Sequence, residues 1–490
     1  MEQKPISIGI AGSGTAGLLA AIVMRKAFPN SEITVISSTE IGIVGVGEGS
    51  TEHWSLFMKR CDIPLLEMIT HTKATHKYGL RFENWSTAFP DYFHSIWGDE
   101  NVYAWRLFPT YSQLIHDKKP LTRHTASIGL FTDKIKRDRL HENTNQFHFD
   151  TFALNRYFQQ VAFRRGVKFV EGIIKTVKVD PTHGTIDSVV LENSNEIQAD
   201  FWIDATGFKR VLSSQIDNTE WQSFSDYLLC DSAFAFPTES DPNGQIRAYT
   251  RARALSSGWA WEIPTQQRRG NGYIYSSAFI SSDDAVDEMS KLLKQDIEPA
   301  RSFKFDPGYM PTPWKKNCCA VGLSSSFVEP LEATSIGSTI QSLFLLVPYL
   351  ASYQPHHVAS QKAFNKSFGI MMDNILTMIR LHYMSDRRDT EFWRAASSMK
   401  VNDSLQELLD LWQETTIPRD LIAQNDGQMF QIAHLIHVAQ GQNLINTEPI
   451  PRMLNNLGIT DQVINDISLM SHNQINHELV DHAESFNEIF

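Results

Sequence analysis

The chain is 490 residues long, 42% hydrophobic and 20% charged, the balance of a globular protein with room for two or three domains. Its 44 basic residues against 56 acidic ones give a net charge of -12, and no clustered run of lysine and arginine interrupts it, which argues against a nucleic-acid-binding surface. Cys61, Cys230, Cys318 and Cys319 form no Cys-x-x-Cys pair and have no histidines at metal-ligand spacing, so they read as inert thiols in a reducing compartment, with no metal site.

From Met1 the chain runs straight into a strand-like segment with no signal-peptide pattern. The longest apolar run, Leu343 to Ala351, is too short to span a bilayer and contains Pro348. A cytoplasmic protein that does not enter a membrane is the expectation.

In chain order, Ser7 to Ala11 reads as a buried strand, Leu18 to Phe28 as a helix and Glu32 to Ile36 as a second strand, a βαβ unit. Residues near 45 to 85 mix glycines, aromatics, Lys and His and read as irregular. Gln146 to Arg165 reads as a helix, with strands at Val167 to Val179, Ile186 to Leu191 and Phe201 to Ile203. Residues 228 to 320 read mainly as strands and turns. From Thr334 the apolar residues Ile336, Ile340, Leu343, Phe344 and Val347 take helical spacing, and helical patterns run on through Phe364 to His382 and Ser404 to Thr415. The division expected is a mixed α/β body over residues 1–330 and a mainly helical region over 331–490.

Gly12, Gly14 and Gly17 form a Gly-x-Gly-x-x-Gly directly after a strand and at the opening of a helix, the context in which that spacing binds a dinucleotide. Thr15 and Ala16 lie within it. The glycines permit a tight turn and close backbone approach to a pyrophosphate, and the helix N-terminus presents free N–H groups to it. The acidic residue expected at the end of the second strand is replaced by Ser37 or Ser38, with Glu40 nearby. Asp204-Ala205-Thr206-Gly207 is a second strand-end glycine turn. Gly45-Val46-Gly47-Glu48-Gly49 lacks the fingerprint spacing, so a separate NAD(P)H domain is not expected.

Three further segments carry chemistry. In Gly258 to Pro264, strand alternation places Trp259, Trp261 and Ile263 on one face and Pro264 ends the ladder; the pattern is a bulky apolar wall or an ordinary core strand. Phe327 to Gly337 leads into an apolar helix, so Thr334 and Ser335 sit where helix N–H groups favour a small anion, or serve as the helix cap, with Glu332 just before them. Lys77 lies among aromatic and apolar residues in His76 to Trp85. Burial there would supply a neutral amine, whereas a surface lysine would merely pack its stem.

Together these segments resemble the flavin-dependent halogenases, in particular the tryptophan-halogenase-like branch. The family's Trp-x-Trp-x-Ile-Pro is matched by Trp259 to Pro264, and its Glu-Pro-Leu-Glu-Ser-Thr-Gly by Glu329 to Ser335, with Ala333 and Ser335 as replacements. Its lysine before a Gly-Ile-Arg-Phe-x-x-Trp stretch is matched by Lys77 through Trp85, and its Val-Gly-Glu-Ala-Thr by Val46 to Thr51. Leu381-His382-Tyr383 and Phe392-Trp393-Arg394 look like further landmarks, and the likeness covers roughly residues 5 to 440. It implies an α/β fold with an FAD-binding Rossmann-like core of the glutathione-reductase/monooxygenase type, a β-rich substrate part and a helical C-terminal region.

The resemblance further implies a reaction. Reduced FAD and dioxygen give a flavin hydroperoxide, and a chloride, bromide or iodide held at Thr334 and Ser335 attacks it to form hypohalous acid. That oxidant passes through a tunnel to Lys77, held by hydrogen bonding or as a haloamine, while Glu332 polarises the halogenating species or assists proton removal. Flavin contacts would come from Gly12, Gly14, Thr15, Ala16, Gly17, Ser37, Gly47, Glu48, Asp204, Gly207, Leu323 and Ile336. Trp259, Trp261, Ile263, Pro264, Phe82, Phe327, Glu329 and Pro330 would line the substrate side. A separate reductase would deliver the reduced flavin, and a homodimer is a family expectation.

The stretch Gln428 to Leu435 lacks the aromatic set that tryptophan-specific members carry, which points to another indole, a phenol or a similar arene, free or carrier-bound, with Met429 and Phe430 in its pocket or in the core. An FAD monooxygenase would usually carry a Gly-Asp pair where this chain has Gly322-Leu323, and a non-catalytic flavin-binding protein would have no use for Lys77 with Glu332.

Overall fold

The computed structural model of the chain describes residues 4–43, 48–95, 109–119, 121, 134–136, 146–216, 220–240, 244–355, 357–415, 428–466 and 479–489. Gly47, and with it the stretch 44–47, lies outside the described residues. A six-stranded sheet runs in the order Trp314–Lys315, Cys318–Ala320, Phe201–Asp204, Ile8–Ala11, Ile33–Ser37, Lys168–Glu171, and all but its first pair are parallel. Ile8–Ala11 is buried at every position, as a strand covered on both faces must be. The helix Thr15–Ala27 follows it and packs against the helices Thr151–Arg164 and Thr334–Ala351. This is the α/β core with a parallel sheet that the βαβ pattern implies.

A seven-stranded sheet stands beside it, in the order Arg301–Lys304, Ser232–Glu239, Arg268–Tyr275, Gly258–Pro264, Tyr249–Ala254, Gly79–Glu83, Asp91–Ser95. Its pairs are antiparallel except Tyr249–Ala254 with Gly79–Glu83. The alternation of Gly258–Pro264 separates its faces: Trp259 joins a cluster with Phe82, Trp85 and the helix Val358–His382, whereas Ala260 joins one with Tyr273 and the helix Ser282–Leu293. The helix Thr334–Ala351 belongs to the apolar cluster of the nucleotide core, where Ile336, Ile340, Leu343 and Leu346 meet Leu18 and Ile22. Among the described residues it is the helix long and apolar enough to cross a membrane by length and composition, but 56% of it is buried inside the protein.

Several expected elements shift. The expected helix from Gln146 begins as a strand, Gln146–Phe149, pairing with Glu48–Gly49 on one side and Thr75–Lys77 on the other; Asp150 then caps the helix Thr151–Arg164 by accepting Ala153 N–H at 2.9 Å. The alternation Gln-Phe-His-Phe has period 2, and the helical spacing begins only at Thr151. The supposedly irregular 45–85 region holds helices His53–Arg60 and Leu65–Thr72 as well as the strands around Lys77. Val167 to Val179 breaks at Gly172 (φ +154) into strands of two different sheets. A helix, Ser282–Leu293, interrupts the strand-rich 228–320 stretch, and a short strand, Leu479–Asp481, interrupts the helical end of the chain. All four cysteines are free and buried.

Candidate active site

At the glycine fingerprint the three glycines do different work. Gly12 has φ +100, and a Cβ there would fall 2.5 Å from Ala205 O; a Cβ on Gly17 would fall 2.0 Å from Gly12 O. These two bring the turn against Asp204–Gly207 and the helix against the strand. Gly14 adopts an ordinary φ of -69, and a Cβ there meets nothing within 4 Å, so the space in front of it is open to a ligand. Gly322, with φ +59, would place a Cβ 2.5 Å from Ala16 Cβ and 3.6 Å from Thr339 Oγ1. The short turn Gly322–Ser324, which carries Leu323, and the second turn of the helix Thr334–Ala351 therefore close on the fingerprint. The open space in front of Gly14 suits a flavin dinucleotide, which Gly14, Thr15, Ala16 and the free N–H groups of the helix N-terminus would hold.

Two of the expected flavin residues serve the fold through their side chains. Asp204 is fully buried, accepting from the amides of Thr206, Leu212 and Ser213 and from the hydroxyls of Thr206, Ser213 and Ser324. Its carboxylate organises the turn that ends in Gly207 (φ +68) and has no capacity left for a ligand. The hydroxyl of Ser37 donates to Glu171 Oε2 at 3.2 Å. Glu171 ends the neighbouring strand, so the sheet brings a carboxylate to the place where the sequence shows only serines.

Lys77 is buried, and its Nζ donates to Ser50 O at 3.0 Å. A Cβ on Gly49 would lie 3.1 Å from that Nζ and 3.5 Å from Ala333 Cβ, so Gly49 leaves the room through which the amine reaches the Ala333 turn. Burial pushes the lysine down to about 8, against the opposing pull of the Glu332 and Glu52 carboxylates. Ala333 is the N-cap residue, in the left-handed region at φ 55, and the helix starts at Thr334, two residues before Ile336. Neither Thr334 nor Ser335 is the cap. Thr334 is buried with its Oγ1 unpartnered, while Ser335 is exposed. A helix N-terminus with no side-chain cap is suited to a small anion.

The Glu332 carboxylate is fully buried between two imidazoles. Its Oε1 accepts from His94 Nδ1 and from His382 Nε2, each at 2.9 Å, and its Oε2 lies 3.0 Å from His94 Nδ1. Burial holds His94 well below the ordinary histidine range and lowers His382 too, so both are neutral donors. Beyond them, His94 Nε2 meets His434 Nδ1 at 2.9 Å, and Tyr92 Oη lies 3.0 Å from His382 Nδ1.

The tryptophan strand closes the other side. Trp259 is buried, its Nε1 donating to Glu329 Oε2 at 2.7 Å, and Tyr383 Oη donates to the same oxygen at 2.6 Å. Burial raises Glu329 to about 7. The Trp259 ring lies 6.0 Å from Trp261 and 6.3 Å from Trp85, and Phe82 stacks on His382 at 4.5 Å. Ile263 and Pro264 are buried, Pro264 ending the strand; Phe327 packs edge-on to Phe305 at 4.8 Å, and Pro330 is half-buried. Glu48 pairs with Phe149 in the small sheet that also holds Thr75–Lys77, and burial raises it to about 7.

The model of the tryptophan halogenase family matches residues 7–456. The chain belongs to that family. RebH, a tryptophan 7-halogenase of Lentzea aerocolonigenes, is 30% identical over 458 residues, 88% of this chain and 86% of RebH. Among solved structures, Xcc4156, a flavin-dependent halogenase from Xanthomonas campestris, is 28% identical with a TM-score of 0.84 over 99% of each chain. SttH, a tryptophan 6-halogenase from Streptomyces toxytricini, is 26% identical with a TM-score of 0.86, covering 99% of this chain and 100% of SttH. The protein is a flavin-dependent halogenase of aromatic substrates, an oxidoreductase that uses reduced FAD, dioxygen and halide.

In this halogenase the histidines around Glu332 are what sequence reasoning missed. His94 shares a strand face with Tyr92, and that alternation was the one local signal available. His382 appeared only as part of Leu381-His382-Tyr383, with no role, and His434 only as part of the Gln428 to Leu435 stretch, again with no role. Met429 and Phe430 in that stretch are core residues: a Cβ on Gly337 would strike Met429 Cε at 2.3 Å, and Phe430 packs edge-on to His434.

Proposed function

We propose that Lys77 carries the halogen to the arene, and that Glu332 takes the proton the arene loses. The observation that carries this reading is the convergence of a buried amine and a buried carboxylate on the Ala333 turn, where one helix begins. Reduced FAD, when bound, would activate dioxygen, and dioxygen is the oxidant that turns halide into an electrophile. The halide rests at the open N-terminus of the helix, against the amides of Thr334 and Ser335 and the Thr334 hydroxyl. The next turn of the same helix places Thr339 against Gly322, which packs on Ala16 of the fingerprint, and this joins the flavin cradle to the lysine.

The neutral amine of Lys77 takes the oxidised halogen from hypohalous acid, forming an N–halogen bond and releasing water. The arene then takes the halogen, the N–halogen bond breaks, and the ring C–H proton leaves to Glu332 and returns to the amine. Burial excludes the water that would hydrolyse such a species. Trp259, fixed by Glu329, walls the substrate from the flavin side together with Trp261 and Phe82. The substrate is an indole, a phenol or a similarly activated arene, because the Gln428 to Leu435 stretch lacks the aromatic set that tryptophan-specific members carry. A separate reductase provides the reduced flavin.

Mass spectrometry of reactions with FAD, a flavin reductase and NADH tests this directly, using indole, phenol and tryptophan panels with chloride, bromide and iodide in turn. A product of halogen mass from wild type and none from Lys77→Ala is the result expected. Oxygen incorporation without halogen would overturn the reading.

The cradle carries its own expectation. Gly14→Ala keeps the fold, with stability within about 0.5 kcal/mol of wild type, because its φ suits alanine and its Cβ meets no protein atom. The methyl occupies the ligand's space, so FAD affinity falls at least tenfold, or about 1.4 kcal/mol. Fluorescence titration of FAD alongside thermal melts checks both halves.

A further inference from the structure

A second group of buried histidines lies behind Lys77, and one of them comes from the far end of the chain, beyond residue 456 where the family match ends. The strand Thr75–Lys77 pairs with Gln146–Phe149 along one edge. Along the other, Tyr78 N–H donates to Ala248 O at 2.7 Å, just before the parallel pairing of Gly79–Glu83 with Tyr249–Ala254 begins. Strand bonds repeat every second residue, so the rung before it would join His76 N–H to Ile246 O. An imidazole stands there instead. His482 Nε2 accepts His76 N–H at 3.0 Å, and His482 Nδ1 donates to Ile246 O at 3.0 Å.

A backbone N–H only donates and a carbonyl only accepts, so these two bonds require a neutral ring with its proton on Nδ1. Burial enforces that form, holding His482 down to about 3. The ring is held firmly: it stacks on Phe486, which sits in the core cluster with Phe147 and Tyr78. Asp481 Oδ1 accepts the amides of Ala483 and Glu484, fixing the start of the helix His482–Ile489.

We propose that His482 is a positioning residue for Lys77: its imidazole, wedged between His76 N–H and Ile246 O, spaces the lysine strand from its neighbour and so sets where the amine reaches. The inference rests on the reading of Lys77 as the halogen carrier. His482→Leu removes both bonds, whereas His482→Gln keeps one acceptor and one donor on its amide.

The full-length enzyme with FAD is compared in wild type, His482→Leu, His482→Gln and Lys77→Met, by hydrogen exchange at the His76 amide, FAD affinity and halogenated product. In His482→Leu the His76 amide loses protection and product falls at least tenfold while FAD affinity holds; His482→Gln recovers most of both. Unchanged His76 protection in His482→Leu overturns the proposal, as does lost protection with a wild-type product rate. A parallel fall of FAD affinity in both His482 variants marks general damage and also overturns it. Product from Lys77→Met strikes the lysine reading itself, whereas an active His482→Leu beside an inactive Lys77→Met strikes only the wedge.

Discussion

Lys77→Met yields a protein that folds, binds FAD and consumes reduced flavin, but makes halogenated arene at least about 100-fold more slowly. Methionine is unbranched and flexible enough to fill the channel that Gly49 leaves open, so the packing survives. Only the bond to Ser50 O and the reactive nitrogen are lost. Burial costs the protonated amine stability: its pKa falls from 10.5 unfolded to about 8 folded. For a base so depressed, the folded state is penalised below pH 8 and relieved as pH rises toward 10.5, by about 3 kcal/mol across that window. The methionine variant therefore melts no lower than wild type at pH 7. Product counted by mass spectrometry against flavin consumed, with a thermal melt, decides it. A variant that still halogenates at the wild-type rate removes Lys77 from the chemistry.

The same shift gives the pH dependence its sign. Only the neutral amine can accept a halogen, so the halogenation step at saturating reduced flavin climbs as pH rises through about 8 and levels off above it. A lysine acting through its ammonium would give the opposite limb, falling through the same region. The rate of product appearance at saturating reduced flavin, measured between pH 6 and 10, separates the two.

The burial of Lys77 and the place of Glu332 ahead of a helix start could be read because each stands in a short segment whose pattern is odd on its own: a lysine among aromatics, a glutamate before an apolar helix. The glycine fingerprint was legible for the same reason, since a strand, a turn and a helix are all local. Glu332's partners were not. His94 and His382 lie 238 and 50 residues away, and nothing in Asp-Tyr-Phe-His-Ser says that its histidine will face a carboxylate. Glu171 supplies an acidic group beside Ser37 only because the sheet sets two strand ends side by side. Gln146 to Phe149 was misread because a four-residue alternation joined to a strong helix looks like the helix's first turn, until its partners Glu48–Gly49 and Thr75–Lys77 are in view. The capping aspartate at position 150 marked the true start.

Those histidines determine how Glu332 fails. Glu332→Gln keeps the shape: the amide oxygen takes the place of Oε1, where it still accepts from His94 Nδ1 and His382 Nε2. The amide nitrogen then stands where Oε2 lay, 3.0 Å from His94 Nδ1, and the ring swings toward the oxygen to avoid it. Stability changes little, but the amide cannot take the arene's proton, so the product rate falls about 100-fold with FAD affinity unchanged. Glu332→Ala loses the same rate and also strands two buried N–H donors, each costing about 1–3 kcal/mol, so its melt drops well below that of the glutamine variant. A glutamine variant as fast as wild type would reduce Glu332 to an anchor for two imidazoles. An alanine variant as stable as the glutamine one would show that the imidazoles find other partners and that the carboxylate is not what orders them. Rates and melts on the two proteins side by side separate proton transfer from scaffolding, because only the first depends on the charge and only the second on the oxygen that both imidazoles share.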